Sequence, residues 1–320
     1  MTLPTTVIKG HATANDFLIY DDPVGVFDPT ADEVRQFCDR HRGIGADGLI
    51  RLVPTELVDG LDGALRDELL AQDAVWFMDY RNADGSIAEM CGNGSRLTAL
   101  LAQHMKLMGE EGDQTLRLGT RAGLKVIEPL GNDPELGRDV FRVDMGSWRI
   151  GETGALNVAV HGAGEQARGT YVDMGNPHVV AVLEDATGLV DKALVASGLP
   201  GVDGLDLSEA PVVAPALEHG QNVEFVRVER VEGGRGEAFM RVHERGCGET
   251  MSCGTGICAT AITLRALTGV DEWTVRVRGG VLRVVVTDDK VTLTGPAAIV
   301  ARCRISNEPI DQDHEDEGLF

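Results

Sequence analysis

The feature that most constrains the fold of this chain is an internal repeat about 160 residues long. Adding 162 to a residue number carries Phe77-Met78 onto Phe239-Met240 and the segment Cys91–Gly94 onto Cys253–Gly256. The alignment needs no gap and gives seven identities in 25 positions. The repeats of solenoid proteins are about 20–50 residues long. A repeat of this length therefore predicts two copies of one domain.

Each copy contains a cysteine, then a glycine-rich turn, then a segment with a helical pattern. Met90–Gly94 reads Met-Cys-Gly-Asn-Gly, and Ser252–Gly256 reads Ser-Cys-Gly-Thr-Gly. The helical patterns follow at 95–104 and 257–267. Backbone N–H groups at a helix start favour negative charge, so a cysteine there can have a lowered pKa. Two such positions predict a pair of thiols that act on one small molecule.

Composition and charge exclude several classes of function. The 320 residues carry a formal charge of −22, which opposes non-specific binding to nucleic acid. No apolar run reaches the roughly 18 residues of a membrane span, and the first residues do not read as a signal peptide. Six cysteines in a chain of this size do not suggest a disulfide framework. We expect a cytoplasmic protein with reduced thiols and a solvated acidic tail at 307–320.

Strand patterns outnumber helical ones along the chain. Strands are predicted at 76–80, 124–127, 140–143 and 223–228, and hairpins at 273–287 and 281–294. Helices are predicted at 30–41, 65–72 and 190–197 and after each repeated cysteine. This mixture favours an α+β fold over alternating βαβ units. A polar, turn-rich segment at 131–137 predicts a domain boundary, with a first half 1–137 and a second half 138–296.

Paired thiols suit the inversion of a carbon that carries a carboxylate. Helix-start N–H groups bind carboxylates, and they also stabilise the enolate-like charge that develops when the adjacent proton leaves. One thiolate removes the proton and the opposing thiol returns one to the other face. Each thiol must act as base in one direction and as acid in the other. Two chemically similar residues, Cys91 and Cys253, meet that demand.

Other roles for the cysteines were weighed against this one. A single cysteine is most often a small buried hydrophobe, which is the expectation for Cys38, Cys247, Cys258 and Cys303. A zinc site using His243 and the three cysteines that follow it lacks a CxxC spacing and is disfavoured. A redox dithiol is disfavoured because Cys91 and Cys253 would have to approach within disulfide-bonding range as their main purpose. A phosphate loop is disfavoured because neither Cys-Gly-x-Gly segment has the lysine or the spacing of a P-loop. We therefore predict no metal and no cofactor.

At these residues the chain resembles the diaminopimelate epimerase family, whose members interconvert LL- and meso-diaminopimelate without pyridoxal phosphate. The resemblance covers nearly the whole length, and the order of its blocks makes it specific. The matching blocks are His11–Phe17, Arg40–Gly48, Asn82–Ser86, Cys91–Gly94, Met174–His178, Glu244–Thr250, Cys253–Gly256 and Thr294–Ala297. Ala12 and Ala14 depart from the glycines common in the first block, and no aromatic residue follows the last one.

The resemblance implies roles for thirteen residues. Cys91 and Cys253 would be the two acid/base residues. The helix-start residues Gly92, Asn93, Gly254 and Thr255 would hold the reacting carboxylate, and His178 would assist near the reacting amine. Residues that would bind the distal amino-acid end of the substrate are Asn15, Asn82, Asn176, Asn222, Glu244 and Arg245.

The resemblance also implies a fold of two pseudo-symmetric domains. Each domain would be an antiparallel sheet wrapped around a central helix, with the substrate in the cleft between the two. A final strand at 297–306 would return to the first domain, and a homodimer is the expected assembly.

Two rival functions stay open at this stage. A racemase or epimerase for proline or hydroxyproline would use the same paired thiols. Glu244, Arg245 and the four asparagines favour a substrate with a second charged amino-acid end, because Arg grips a carboxylate and Glu recognises an ammonium. A thiol redox protein or a non-catalytic amino-acid binder would bind the ligand without exchanging its α-proton.

Overall fold

Two long helices, each surrounded by strands, organise the chain. The computed structural model describes residues 2–108 and 114–305. The first half contains three helices: α1 (Ala31–Cys38), α2 (Gly63–Ala71) and α3 (Gly92–His104). Its strands are β1 (Thr6–Ala12), β2 (Asn15–Asp21), β3 (Gly48–Pro54), β4 (Trp76–Asn82), β5 (Leu116–Thr120), β6 (Gly123–Asp133) and β7 (Gly137–Gly146).

The second half contains one long helix, α4 (Gly254–Thr268). Its strands before that helix are β8 (Arg149–Ile150), β9 (Leu156–Ala159), β10 (Gln166–Asp173), β11 (Pro177–Asp185), β12 (Val212–Ala214), β13 (Asn222–Glu232), β14 (Arg235–Glu244) and β15 (Gly248–Thr250). The strands after it are β16 (Glu272–Val277), β17 (Gly280–Val286), β18 (Val291–Pro296) and β19 (Ala298–Arg304). Short 3-10 turns lie at Thr55–Leu57 and Val202–Gly204.

The two halves repeat one pattern of strand pairing. In the first, β1–β2 is antiparallel, β2–β3 parallel, β3–β4 antiparallel, β4–β5 parallel, and β5–β6–β7 antiparallel. In the second, β10, β11, β13, β14, β16, β17 and β18 follow the same sequence of directions. The sheets join through the antiparallel pair β7–β18, and β19 lies antiparallel to β1. The predicted α+β class with duplicated halves is confirmed, although two neighbour pairs in each half run parallel.

Each central helix is buried, and apart from Asn93 and Arg96 the buried part of α3 consists of small or apolar residues. Every residue of α3 from Gly92 to Ala102 is buried, as is almost every residue of α4 up to Leu264. A helix without a polar face is stable only when other elements cover it on every side. The strands therefore wrap the helix, and the helix start opens toward the other half. Gly269, in the left-handed conformation, ends α4.

Most predicted elements are present, and one is not. Thr30 caps α1 through a capping box with Glu33. The helix predicted at 190–197 is wrong, because this segment forms turns. The N–H of Ala196 donates to the carbonyl of Val182 on β11, and the carboxylate of Asp191 accepts the N–H of Ala193, so the hydrogen bonds of a helix do not form there.

The predicted domain boundaries stay predictions. β7, which follows the proposed boundary at 137, pairs with both β6 and β18 and so lies between the halves. The acidic tail at 307–320 and the last residue of the predicted strand 297–306 lie outside the described residues. Across 2–108 and 114–305, none of the helices is long and apolar enough to cross a membrane.

Candidate active site

Cys91 occupies the N-cap of α3. Its backbone is extended, and its sulfur accepts the N–H of Gly94 at 3.4 Å. The thiol also lies 3.7 Å from Oδ1 of Asn15, at the start of β2. Asn15 is itself held by a 2.8 Å hydrogen bond from its Nδ2 to the carboxylate of Asp47. The first half thus presents one thiol at a helix start beside a fixed amide.

Cys253 occupies the equivalent N-cap of α4 and is 6% exposed. Its Sγ lies 3.5 Å from the hydroxyl of Thr255 and interacts electrostatically with the carboxylate of Glu244. Glu244 also accepts the hydroxyl of Thr250. Cys253 therefore lies among polar side chains, whereas the sulfur of Cys91 contacts a backbone N–H and one amide.

The starts of the two helices are in contact. A β-carbon at Gly254 would lie 3.5 Å from the α-carbon of Gly92 and 3.7 Å from the backbone nitrogen of Asn93. Leu293 packs beneath both glycines. The free N–H groups of two helices consequently converge on one region, where their partial positive charges add. This geometry is suited to binding a carboxylate between two thiols.

A buried hydrogen-bond network ties the halves together at this point. Nδ2 of Asn93 donates to Oδ1 of Asn15 and to the carbonyl of Ser252, both at 3.1 Å. The fully buried guanidinium of Arg96 donates to Oδ1 of Asn93 at 2.8 Å and to the hydroxyl of Thr13 at 3.1 Å. That hydroxyl lies 2.9 Å from Oγ of Ser252. The side chain of Asn93 therefore connects the two halves.

A second network runs from β13 toward Cys253. Nδ1 of His178 lies 2.7 Å from Oε1 of Glu224, and both side chains are fully buried. Nε2 of His178 lies 3.1 Å from Oδ1 of Asn176, whose Nδ2 donates to Thr255 at 3.4 Å. The predicted residues Asn176, His178, Thr255 and Cys253 are thus connected.

The remaining predicted residues lie at neighbouring strand ends. Asn222 begins β13, and its Oδ1 accepts the backbone N–H of Arg245 at 2.9 Å. Nη1 of the exposed Arg245 donates to the carbonyl of His219, and Nδ2 of Asn82 donates to Ser86. The partners in these two hydrogen bonds, His219 and Ser86, are not members of the thiol networks.

Comparison with known proteins agrees with this arrangement. The model of the family described as diaminopimelate epimerase matches residues 7–150 and 170–300. The chain belongs to the diaminopimelate epimerase family. Relatives include the diaminopimelate epimerases of Thermobifida fusca (41% identity, 92% of this chain and 95% of the relative) and Corynebacterium glutamicum strain R (39%, 94% and 98%). That of Streptomyces coelicolor is 40% identical over 94% of this chain and 95% of the relative.

Solved structures of low sequence identity share the fold of this epimerase family member. A phenazine biosynthesis protein of the PhzF family from Bacillus anthracis has a TM-score of 0.62 at 15% identity, covering 94% of this chain and 99% of its own. A probable proline racemase from Agrobacterium radiobacter has a TM-score of 0.58 at 16% identity, covering 96% and 94%. At these identities the likeness establishes the fold alone.

Burial governs the titration of both thiols in this family member. It raises the pKa of Cys91 to about 11, and the N–H of Gly94 opposes this only in part. Burial and then the carboxylates of Glu244 and Glu224 raise the pKa of Cys253 well above its ordinary value. The pKa of Glu244 is also raised by burial. The lowering that a helix start favours is therefore outweighed by desolvation.

Sequence reasoning missed Glu224, Arg96, Thr13 and Ser252. Glu224 stands within the apolar run of β13, which is buried on both faces, and a carboxylate in such a strand is the signal that could have drawn notice. Arg96 lies one helical turn after Cys91 inside a helix that is otherwise small and apolar. Both are charged residues at positions where burial is costly.

The cysteines of this family member are free thiols. Cys38 and Cys258 are buried, Cys303 is partly buried, and Cys247 is exposed. Within residues 2–108 and 114–305, no three His, Cys, Asp or Glu side chains are grouped so that they could hold a metal ion. The four residues weighed above for zinc accordingly do not form such a group.

Proposed function

We propose that the chain epimerises LL-diaminopimelate to meso-diaminopimelate at one α-carbon, with Cys91 and Cys253 as the two acid/base residues and without a cofactor. The observation that carries the proposal is the contact between Gly92 and Gly254, since it joins two helix starts that each have a cysteine at the N-cap. Family membership supports the same substrate.

The reaction needs one thiolate and one thiol at the same time. The thiolate takes the α-proton, and the electron pair moves onto the carboxylate to give an enolate-like intermediate. Backbone N–H groups at Gly92, Asn93, Gly254 and Thr255 stabilise its oxygens, because helix-start donors are oriented before the charge develops. The opposing thiol then protonates the other face, so that one proton leaves, one is added, and the configuration inverts.

The distal end of the substrate needs recognition of a carboxylate and an ammonium. Arg245 suits the carboxylate because its guanidinium donates two parallel hydrogen bonds. The asparagines Asn15, Asn82, Asn176 and Asn222 supply amide donors and acceptors around it. Glu244 suits an ammonium and is the last residue of β14. The equivalent strand in the first half, β4, ends instead at Asn82. This difference between the halves supports a substrate held in one orientation.

The raised thiol pKa values fit a base that forms only with substrate bound. Burial keeps both sulfurs protonated near neutral pH. The substrate's α-ammonium brings a positive charge into the same buried region. An opposite charge at close range favours the thiolate, which places the active base beside the proton that it removes.

The pathway and assembly follow from the same proposal. The product is a lysine precursor and a cross-linking residue of peptidoglycan, and we place the reaction in the cytoplasm. We propose a division of the chain into a first domain of residues 1–137 with 297–306, a second domain of residues 138–296, and a tail at 307–320.

A homodimer is also proposed. Sedimentation equilibrium tests this assembly. Val300 on β19 is 63% exposed and is the position at which a substitution is made for that measurement.

The decisive experiment is proton exchange in deuterated water. LL-diaminopimelate incubated with the protein and no added cofactor should gain deuterium at one α-carbon as the meso isomer forms. L-proline and trans-4-hydroxy-L-proline, run in parallel, should gain none. Absence of exchange with LL-diaminopimelate in well-folded protein contradicts the epimerase. Exchange with proline instead would favour the racemase, and binding without exchange would favour a non-catalytic binder.

A further inference from the structure

The strand register shows which residues occupy equivalent positions in the two halves. Phe17 pairs with Gly48 across the parallel strands β2 and β3, as His178 pairs with Asn222 across β11 and β13. Two residues further along each pair of strands lie Ile50 and Glu224. The buried pair His178 and Glu224 therefore occupies the place that Phe17 and Ile50 fill in the first half.

The helix glycines give the same correspondence independently. A β-carbon at Gly94 in α3 would lie 3.0 Å from Cδ1 of Ile50. Its repeat partner in α4 is Gly256, where a β-carbon would lie 2.5 Å from Oε1 of Glu224. The carboxylate of Glu224 thus packs against the first turn of α4, the helix that begins after Cys253. In the first half, a methyl group of Ile50 packs against the first turn of α3 instead.

Folding does not require a carboxylate at this place. Glu224 and His178 are both fully buried, and Oε2 of Glu224 has no hydrogen-bond partner among the residues that the structure describes. A buried ion pair with an unpaired oxygen is costly, and well-packed apolar residues often replace such pairs without loss of stability. The first half shows the same backbone with an apolar pair. The charged pair in the second half consequently indicates a function on the Cys253 side.

The hydrogen bonds determine what this pair does to the imidazole. Nδ1 of His178 faces a carboxylate oxygen, and Nε2 faces Oδ1 of Asn176. Oδ1 of Asn176 faces the ring, and Nδ2 of the same amide donates to Thr255. With the Glu224 carboxylate on one side of the ring and an amide oxygen on the other, this arrangement places a proton on each ring nitrogen. Glu244 and Asp173 are the other carboxylates whose charges interact with His178.

We propose that Glu224 is a positioning residue for the epimerisation: it holds His178 with protons on both ring nitrogens, and through Asn176 and Thr255 this fixes the hydrogen-bonded surroundings of the Cys253 thiol. The inference rests on the proposed function. Glu224 acts through His178, and no corresponding chain exists on the Cys91 side because Phe17 and Ile50 cannot form hydrogen bonds with their side chains.

Two variants at position 224 test the proposal, with a matched control on the same strand. Glu224→Gln keeps the shape and removes the charge, and Glu224→Ile introduces the first-half residue. Either should lower kcat by about tenfold to a hundredfold, the order expected when catalytic groups are misplaced slightly. The control Glu229→Gln, which removes a partly exposed carboxylate paired with Arg227 and Arg276, should keep the wild-type kcat.

A spectroscopic readout separates positioning from loss of structure. Nitrogen-15 NMR of the His178 ring at pH 8 should show two protonated nitrogens in the wild-type protein and one in Glu224→Gln. A kcat within twofold of wild type in both variants overturns the proposal. So does a reduced kcat with an unchanged His178 spectrum, or a wild-type ring that carries a single proton.

A double-mutant cycle covers the case in which a single variant fails to fold. His178→Phe with Glu224→Ile recreates the apolar pair of the first half, so this double variant should melt cooperatively. If Glu224 acts through His178, Glu224→Ile should change kcat less than twofold in the His178→Phe background. An equal loss in both backgrounds overturns the proposal. Absence of α-proton exchange by the wild-type protein would instead contradict the proposed function, and the NMR measurement would still decide the protonation of His178.

Discussion

Gly92 and Gly254, the first residues of the two central helices, lie against each other so closely that a β-carbon on Gly254 would fall 3.5 Å from the α-carbon of Gly92. Each glycine follows a cysteine that caps its helix. The contact brings the N–H groups of both helix starts to one side of the buried junction. A carboxylate bound there has donors from both halves, which is the arrangement that an enolate intermediate requires.

Removal of either thiol should abolish epimerisation. Cys91→Ala and Cys253→Ala each leave one acid/base group, so we expect kcat to fall by about 10²–10⁴-fold. Meso-diaminopimelate formation measured by chiral chromatography checks this. Cys303→Ala on β19 is the matched control and should retain activity. Near-full activity in either active-site variant would contradict the two-thiol assignment.

The rate should rise with pH across the neutral range. Burial raises the pKa of Cys91 to about 11 and raises the pKa of Cys253 well above its ordinary value. Below such values the thiolate fraction increases with pH, so kcat/KM should increase steadily from pH 7 to pH 9. Initial rates in buffers of constant ionic strength measure this. A flat profile over that range would indicate that a thiol is already ionised at pH 7.

Oxidation should inactivate the protein reversibly. The two thiols, which cap adjoining helix starts, can each lose a proton and together give two electrons to diamide, forming a disulfide. We expect activity to disappear with diamide and to return with dithiothreitol. Peptide mass spectrometry should identify the Cys91–Cys253 link. A loss of activity without this link would show that another thiol, such as the exposed Cys247, reacts instead.

The turn at Gly279 should be intolerant of any side chain. A β-carbon there would lie 1.9 Å from the carbonyl oxygen of Thr13 and 3.0 Å from that of Met251, so backbone from the first half would have to move. Gly279→Ala should lower the free energy of unfolding by about 1–3 kcal/mol and reduce kcat, because Thr13 also bonds to the junction. Urea denaturation measures the first effect. Gly164→Ala, which adds a methyl group in open space, should change neither.

Local sequence was sufficient for the elements that depend on neighbouring residues. The cysteines at two helix starts, the capping box of Thr30 and the hairpins near 278–280 and 288–290 all rest on short-range bonding. The helix predicted at 190–197 failed because the backbone N–H of Ala196 bonds to Val182, a residue outside that window. The sequence repeat did not reveal that Ile50 and Glu224 occupy equivalent positions in the two halves. The numbering offset between the halves is 174 at Gly48 but 162 at Cys91, so the two alignments differ.

The sequence alone determined that this chain has two copies of one thiol-bearing helix start, because the repeat and its glycines are written in neighbouring residues. Only the tertiary structure decided the environment of each thiol. The packing of both halves removes water from the sulfurs, and that burial raises the pKa of Cys91 to about 11 despite the helix start. It also brings Glu224 to the helix of Cys253 and Ile50 to the helix of Cys91, across strands that are far apart in the sequence. Desolvation and contacts between distant strands depend on the whole fold, and no short segment encodes them.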